Sequence, residues 1–312
     1  MKLAPGTPLT IALQTDEAVP PLPVGRLAMA DGVAQLEWSG EVIAAVLPIS
    51  PIHYSLEPGL HPARTRAFDG LHGFLADSLP DAWGTLLLRR RLAMLGQRLE
   101  ELNAVDRLAL VGARGRGALV FQPETLPQDD AQAIELDALA EQSQIVLRGQ
   151  TGELDDLLAQ IGGGSGGARP KVHVSMTTRG DWQAEEAVEG QGAWIVKFPA
   201  LGDPLDIGPV EEAYAQMACA AGIVMAETRL IPSGRGPGHF ATRRFDRPAP
   251  GKRLHMVSLG GAVEASPHMP SLDYDGFLRA TLSITRDMRD VEQAYRRMLF
   301  NILAHKDRKS VV

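Results

Sequence analysis

Ile161-Gly162-Gly163-Gly164-Ser165-Gly166-Gly167-Ala168-Arg169-Pro170-Lys171, running into Val172-His173-Val174-Ser175-Met176, is the stretch that decides the fold. Gly162-x-Gly164-x-x-Gly167 fits the dinucleotide pattern and Gly163-x-Ser165-x-Gly167 the nucleophile-elbow pattern, but five glycines in six positions fit almost any such pattern. Both motifs need a strand before the glycines and a helix after them, so that a helix N-terminus meets a phosphate or an oxyanion. Here the order is reversed. The acidic amphipathic pattern of 153–161 predicts a helix, and Val172, Val174 and Met176 alternating with His173 and Ser175 predict a strand. A Walker loop fails as well, because Lys171 is followed by Val172 and not by Ser or Thr. Two readings remain: a flexible linker, or a glycine loop laid over phosphates between two strands, where the chain can approach closely and offer backbone N–H groups.

Downstream, Ala193-Trp194-Ile195-Val196-Lys197-Phe198 reads as a strand carrying one charge. Pro209 then opens a helical pattern with Val210, Tyr214, Met217, Ala218 and Ala221 on one face, which Gly222 stops. A kinase-type nucleotide site needs a phosphate-covering loop, a strand lysine and a glutamate on the next helix, in this order. Lys197 and Glu211 stand in that order after the glycines. Singly, each has a plainer explanation, since lysine is common on edge strands and a carboxylate near a helix start is favoured by the helix dipole. Loop, lysine and glutamate in sequence are much less often a coincidence.

Farther out, Leu9–Leu13, Ala34–Trp38 and Val42–Ile49 are short apolar runs cut by Pro and Gly, expected as strands. Pro80 or Asp81 opens a helix with Trp83, Leu86, Leu87 and Leu95 on one side. A glycine-rich turn over 112–117 precedes a strand at 118–121, and 123–130 reads as a polar linker. Helices are expected over 133–147, 153–161, 209–221, 272–282 and 291–305, and strands over 171–176, 193–198, 227–231 and 239–245.

The 312 residues are 45% hydrophobic and 22% charged, an ordinary globular composition with length for about two domains. With 31 basic and 38 acidic side chains the net charge is −7, which disfavours a direct grip on nucleic-acid phosphates. One cysteine, Cys219, excludes an intrachain disulfide and a thiolate zinc cluster. Eight scattered histidines form no H-E-x-x-H pair, so no metal site is expected from spacing. No apolar signal core opens the chain and no apolar run reaches membrane-spanning length, so a soluble, cytoplasmic protein without a membrane partner is expected.

Several segments together carry a family resemblance. They are Gly73-Phe74-Leu75-Ala76-Asp77-Ser78-Leu79-Pro80-Asp81, Leu110-Val111-Gly112 with Gly117-Ala118-Leu119, Gly166-Gly167-Ala168-Arg169-Pro170-Lys171, Trp194–Pro199, Glu211–Gly222, Arg243-Arg244-Phe245-Asp246-Arg247, and Leu254–Gly260 with Pro270–Tyr274. Most of the chain thereby resembles the HipA-type serine/threonine kinases, toxins of bacterial toxin–antitoxin pairs. The resemblance implies an α+β, bilobal protein-kinase-like fold, with a mixed-sheet N-terminal lobe and an incomplete helical C-terminal lobe. Its expected divisions are a HipA-like subdomain at 1–125, the nucleotide-binding part at 126–250 and the helical lobe at 251–312. It also implies ATP and Mg²⁺ as cofactors, a protein hydroxyl as substrate (glutamyl-tRNA synthetase is the family's target type), and a small helix-turn-helix antitoxin of HipB type. DNA would be reached only indirectly, through that antitoxin. By the same resemblance Gly163, Gly164, Ser165, Gly166 and Gly167 cover the phosphates, Lys197 holds the α/β-phosphates and Glu211 orients Lys197. Ser165 stands beside the family's inhibitory autophosphorylation position.

The C-terminus departs from the family. Where relatives continue into N-x-D-D-H-x-K-N and a later metal-binding Asp, this sequence reads Lys306-Asp307-Arg308-Lys309-Ser310-Val311-Val312. Asp307 lies near the base position without its usual neighbours, and a solvated helix-end residue would look the same. The reading is a homologue truncated before its catalytic loop and inactive or impaired in phosphoryl transfer, with the helix 291–305 left exposing apolar surface. The alternative is a non-catalytic kinase fragment that binds nucleotide or the antitoxin.

Overall fold

The computed structural model describes residues 2–4, 6–126, 133–162, 166–184, 192–266 and 272–304. In chain order the elements are β1 (Leu9–Leu13), β2 (Leu22–Ala30), β3 (Val33–Trp38), α1 (Gly40–Ala45), β4 (Leu60–Pro62), α2 (Gly73–Ala76), α3 (Ala82–Met94), α4 (Ala104–Val111) and β5 (Leu119–Gln122). Then come β6 (Ala133–Ile134), α5 (Leu136–Leu147), α6 (Asp155–Ile161), β7 (Lys171–Met176), β8 (Trp182–Gln183), β9 (Gly192–Lys197) and α7 (Ile207–Ala220). The last are β10 (Thr228–Ile231), β11 (His239–Arg243), α8 (Leu259–Val263), α9 (Tyr274–Thr285) and α10 (Met288–Leu303). No helix among the described residues is long and apolar enough to cross a membrane.

The chain forms two compact units. One gathers Met1–Pro80, Leu92–Asp129 and Asp246–Leu272; the other gathers Asp81–Arg91, Asp130–Phe245 and Asp273–Val312. The first unit carries a sheet in the order β4-β3-β2-β1-β5. Asp31 and Gly32, both at positive φ, make the tight turn between β2 and β3. Alternating residues send Leu9, Ile11, Leu27 and Leu36 inward to meet Phe74 of α2, Leu108 of α4 and Phe121 of β5, all essentially buried. Asn103 and Asp106 cap α4 reciprocally, each side chain accepting the other's backbone N–H. Asp246 accepts the Gly117 N–H at 2.9 Å, and Arg247 donates to the Gly117 carbonyl at 2.8 Å, which ties the returning segment to the glycine-rich turn after α4.

Three expectations change here. Residues 42–49 are not a strand. Ser39 Oγ accepts the Val42 N–H at 3.1 Å, starting α1 one turn earlier, and Val46 ends that helix at φ +52°. Local capping outweighs the strand preference of Val42 and Ile43. The helix expected from 133 begins at Leu136: 133–134 pair with β8, and Glu135 accepts the N–H groups of Asp137 and Ala138. The expected mixed sheet is two separate sheets in which every described pairing is antiparallel, since short returns join β2 to β3, β7 to β8 and β10 to β11.

The second unit is built on the sheet β10-β11-β9-β7-β8-β6. Val172, Val174 and Met176 of β7 and Trp194 and Val196 of β9 face one core with Trp83 and Leu87 of α3, Leu139 and Val146 of α5, and Leu158 and Ile161 of α6. By contrast, α9 contains no buried residue and α10 only Ala294; Ile302 is 54% exposed and Leu303 76%. The expected apolar exposure of the last helix is therefore present over its described part.

Candidate nucleotide site

The glycine loop leaves α6 and enters β7, with a strand and no helix after it. Gly162 closes its base by an antiparallel bridge to Val172. A Cβ there would sit 2.3 Å from Leu87 Cδ1 and 2.5 Å from the Leu158 carbonyl, so glycine is required for close approach. Gly163, Gly164 and Ser165 lie outside the described residues, as does Asp307. Gly166 and Gly167 are described, at φ +87° and +86°.

Pairing of β7 with β9 sets Lys171 directly opposite Lys197, and β11 sets Phe240 opposite Lys197 on the other side. Side chains of directly opposed residues share a face. Lys197 Nζ lies 5.0 Å from the centre of the Phe240 ring and 3.0 Å from Glu211 Oε2 of α7. The lysine–glutamate pair expected from sequence is thus formed. Glu211 does not stand where the helix dipole would explain it: α7 begins at Ile207, so Glu211 is in its second turn and the first turn carries no acid. The pairing with Lys197 accounts for it better.

Sequence reasoning missed how crowded Glu211 is. Arg169, at the root of the glycine loop, donates to Glu211 Oε1 at 2.7 Å and to Asp203 Oδ1 at 3.1 Å. Glu211 Oε2 makes no hydrogen bond although Lys197 is near, so that contact is charge against charge, while Oε1 holds the directed bond. Two cations and two carboxylates balance, and both cations keep about a third of their side chains exposed. Lys171 is the opposite case. Its side chain is 3% exposed and its Nζ lies 2.9 Å from Asp81 Oδ2, itself 6% exposed. The same Nζ donates to the carbonyls of Gly166 (2.7 Å) and Gly167 (3.2 Å). Trp83 Nε1 donates to the Lys171 carbonyl at 2.9 Å. From sequence Asp81 was only a helix opener and Lys171 only the end of a motif. The available signal was a lysine beginning a strand whose alternate residues are all core.

This arrangement offers an ammonium held by a helix carboxylate, on a strand neighbouring the one that a glycine loop feeds. In kinases these groups meet nucleotide phosphates. Two family models match the chain. Residues 19–122 match the HipA N-terminal domain and residues 163–307 the HipA-like C-terminal domain.

The chain belongs to the HipA family.

No curated protein gives a significant match to this HipA-family chain. Among solved structures it is similar to a chain of the Shewanella oneidensis MR-1 toxin–antitoxin complex of HipA, HipB and operator DNA, with a TM-score of 0.62 and 16% identity, over 96% of this chain and 70% of that one. Likeness at that identity shows the fold: the α+β architecture here is that of HipA.

Proposed function

We propose that this HipA-family chain is the toxin of a toxin–antitoxin pair and that its second unit is an ATP site of protein-kinase type. The observation that carries the reading is the Lys197–Glu211 pair at 3.0 Å, joining the strand beside the glycine loop to the helix that follows. Gly166, Gly167 and Lys197 suit triphosphate oxygens, which accept backbone N–H bonds and are drawn to an ammonium. Gly163, Gly164 and Ser165 would extend that cover, and Ser165 is the candidate autophosphorylation site. Among the described residues no group of three or more His, Cys, Asp or Glu could hold a metal ion; Mg²⁺ would come with the nucleotide phosphates, where one or two carboxylates usually complete its shell. A small antitoxin of HipB type is the proposed partner, through which DNA would be reached. A protein hydroxyl, of the glutamyl-tRNA synthetase class by family, would be the acceptor in a member that transfers phosphate; this chain is proposed to be inactive or impaired in that step.

A second reading has its own observation. Lys306-Asp307-Arg308-Lys309 lacks the Asp-His pair of the family's catalytic loop, which favours nucleotide binding without transfer. A positioned base is typically worth ~10²–10⁴-fold in rate, and Asp307 would have to serve without its usual neighbours. Radiolabelled ATP tests both readings on the purified chain. Binding that Lys197→Ala abolishes is expected, with no label on Ser165 or on added glutamyl-tRNA synthetase. Mg²⁺-dependent labelling that disappears in Asp307→Ala would establish transfer and overturn the second reading. Absence of ATP binding would overturn the first.

A further inference from the structure

Five glycines in six positions prescribe no loop shape, because each visits positive and negative φ almost equally. A loop that is to present N–H groups to a ligand therefore has to be shaped from outside. We infer that Lys171, clamped by Asp81, is the positioning residue that turns the N–H groups of Gly167 and Ala168 toward a phosphate. The inference rests on the nucleotide reading above and deepens it, since it names the groups that meet the phosphate and the device that aims them.

The geometry is specific. Among the described residues, Lys171 Nζ donates to Asp81 Oδ2, the Gly166 carbonyl and the Gly167 carbonyl. Both peptide bonds that carry those carbonyls are trans. In a planar trans peptide the C=O and the following N–H point opposite ways. Drawing two consecutive carbonyls onto Lys171 Nζ therefore turns the N–H of Gly167 and the N–H of Ala168 away from it, to the other side of the loop. Neither N–H donates to another group among the described residues. Successive backbone N–H groups left free in this way form an anion site.

The two strand lysines thereby divide the work. They are cross-strand partners on one face, where like charges would repel, and each faces a different carboxylate, Asp81 for Lys171 and Glu211, shared with Arg169, for Lys197. Lys197 keeps a third of its side chain exposed and can meet a ligand; Lys171 is buried and acts through the loop. Removing Lys171 alone would bury the Asp81 charge unpaired, which confuses a folding defect with a binding defect. Replacing both members of a buried pair avoids that.

The test compares the wild type with Lys171→Met/Asp81→Asn by calorimetric titration with ATP, ADP and adenosine, with thermal melting as the check on folding. The expected result is a folded double variant that loses about tenfold or more in affinity for ATP and ADP, with adenosine affinity unchanged. A folded variant with wild-type ATP affinity, or one that loses adenosine as much as ATP, overturns the inference. A second measurement needs no variant. In amide spectra of the labelled wild type, ADP should shift the Gly167 and Ala168 resonances while adenosine leaves them in place. If ADP binds and these amides do not move, the inference fails and the nucleotide reading stands. If neither ATP nor ADP binds, the nucleotide reading fails and takes the inference with it.

Discussion

His72 shows how one side chain can set a pH limit on the fold. It is fully buried against Tyr54 and Phe74, its Nε2 donates to the His61 carbonyl at 2.8 Å, and its Nδ1 has no partner among the described residues. A second proton would go to Nδ1 and be buried without an acceptor. Burial accordingly pushes the imidazole from its ordinary value down to about 4. Burial pushes His255 down as well, where Nε2 is taken by the Ile49 carbonyl. The unfolded chain binds these protons near pH 6.5 and the folded one does not, so the unfolded state gains as pH falls from 6.5 toward 4. His72 alone should cost roughly 3 kcal/mol of stability across that window, with little change above it. Urea titrations at pH 7.5 and 4.5 should show the loss, and His72→Gln should flatten it. An equal pH dependence in the variant would remove His72 as the cause.

Among the elements, α1 marks where sequence pattern misled. Its residues Val42 and Ile43 are strand formers, yet the side chain of Ser39 supplies the first turn, and the helix ends on a β-branched residue in the left-handed region. Val46 is 75% exposed, so the strain is not repaid by packing. Val46→Gly should raise stability by about 0.5–1 kcal/mol, the left-handed strain relieved less the extra freedom glycine has when unfolded. Chemical denaturation measures it, and a destabilised variant would contradict it. Elsewhere the pattern was legible where period and chemistry agreed. Val172, Val174 and Met176 alternate because that face of β7 is core, and Lys197 and Glu211 could be matched in advance because each had a distinctive place in an ordered trio. What stayed hidden was long-range. Nothing local tells Asp81 that its partner is Lys171, or Arg169 that it will share Glu211. The Asp31-Gly32 turn between β2 and β3 is a hairpin signal that the local sequence does carry.

At the scale of the whole molecule, protection against exchange should follow burial. In the second unit β7 and β9 lie in the core, whereas α9 and α10 pack on each other with most apolar side chains in contact with solvent. Hydrogen exchange should find α9 and α10 less protected than β7 and β9 by orders of magnitude, since few buried contacts hold them. Equal protection in a monomer would contradict that. The second unit also includes Asp81–Arg91, taken from far upstream in the chain, and this bears on how the protein can be divided. The C-terminal family domain starts at residue 163, after the segment that supplies the counter-ion of Lys171 and the indole of Trp83. Cloned at that boundary, the domain inherits a buried ammonium without its carboxylate, a defect that typically costs ~3–5 kcal/mol, and loses Trp83 and Leu87 of α3 together with Leu139, Val146, Leu158 and Ile161 of α5 and α6 from its core. The portable module is discontinuous. A peptide covering Asp81–Arg91, supplied to or spliced onto a piece that begins at Asp130 and so keeps α5 and α6, should restore the pair and the indole, so the family-domain boundary and the edge of the compact unit fall in different places.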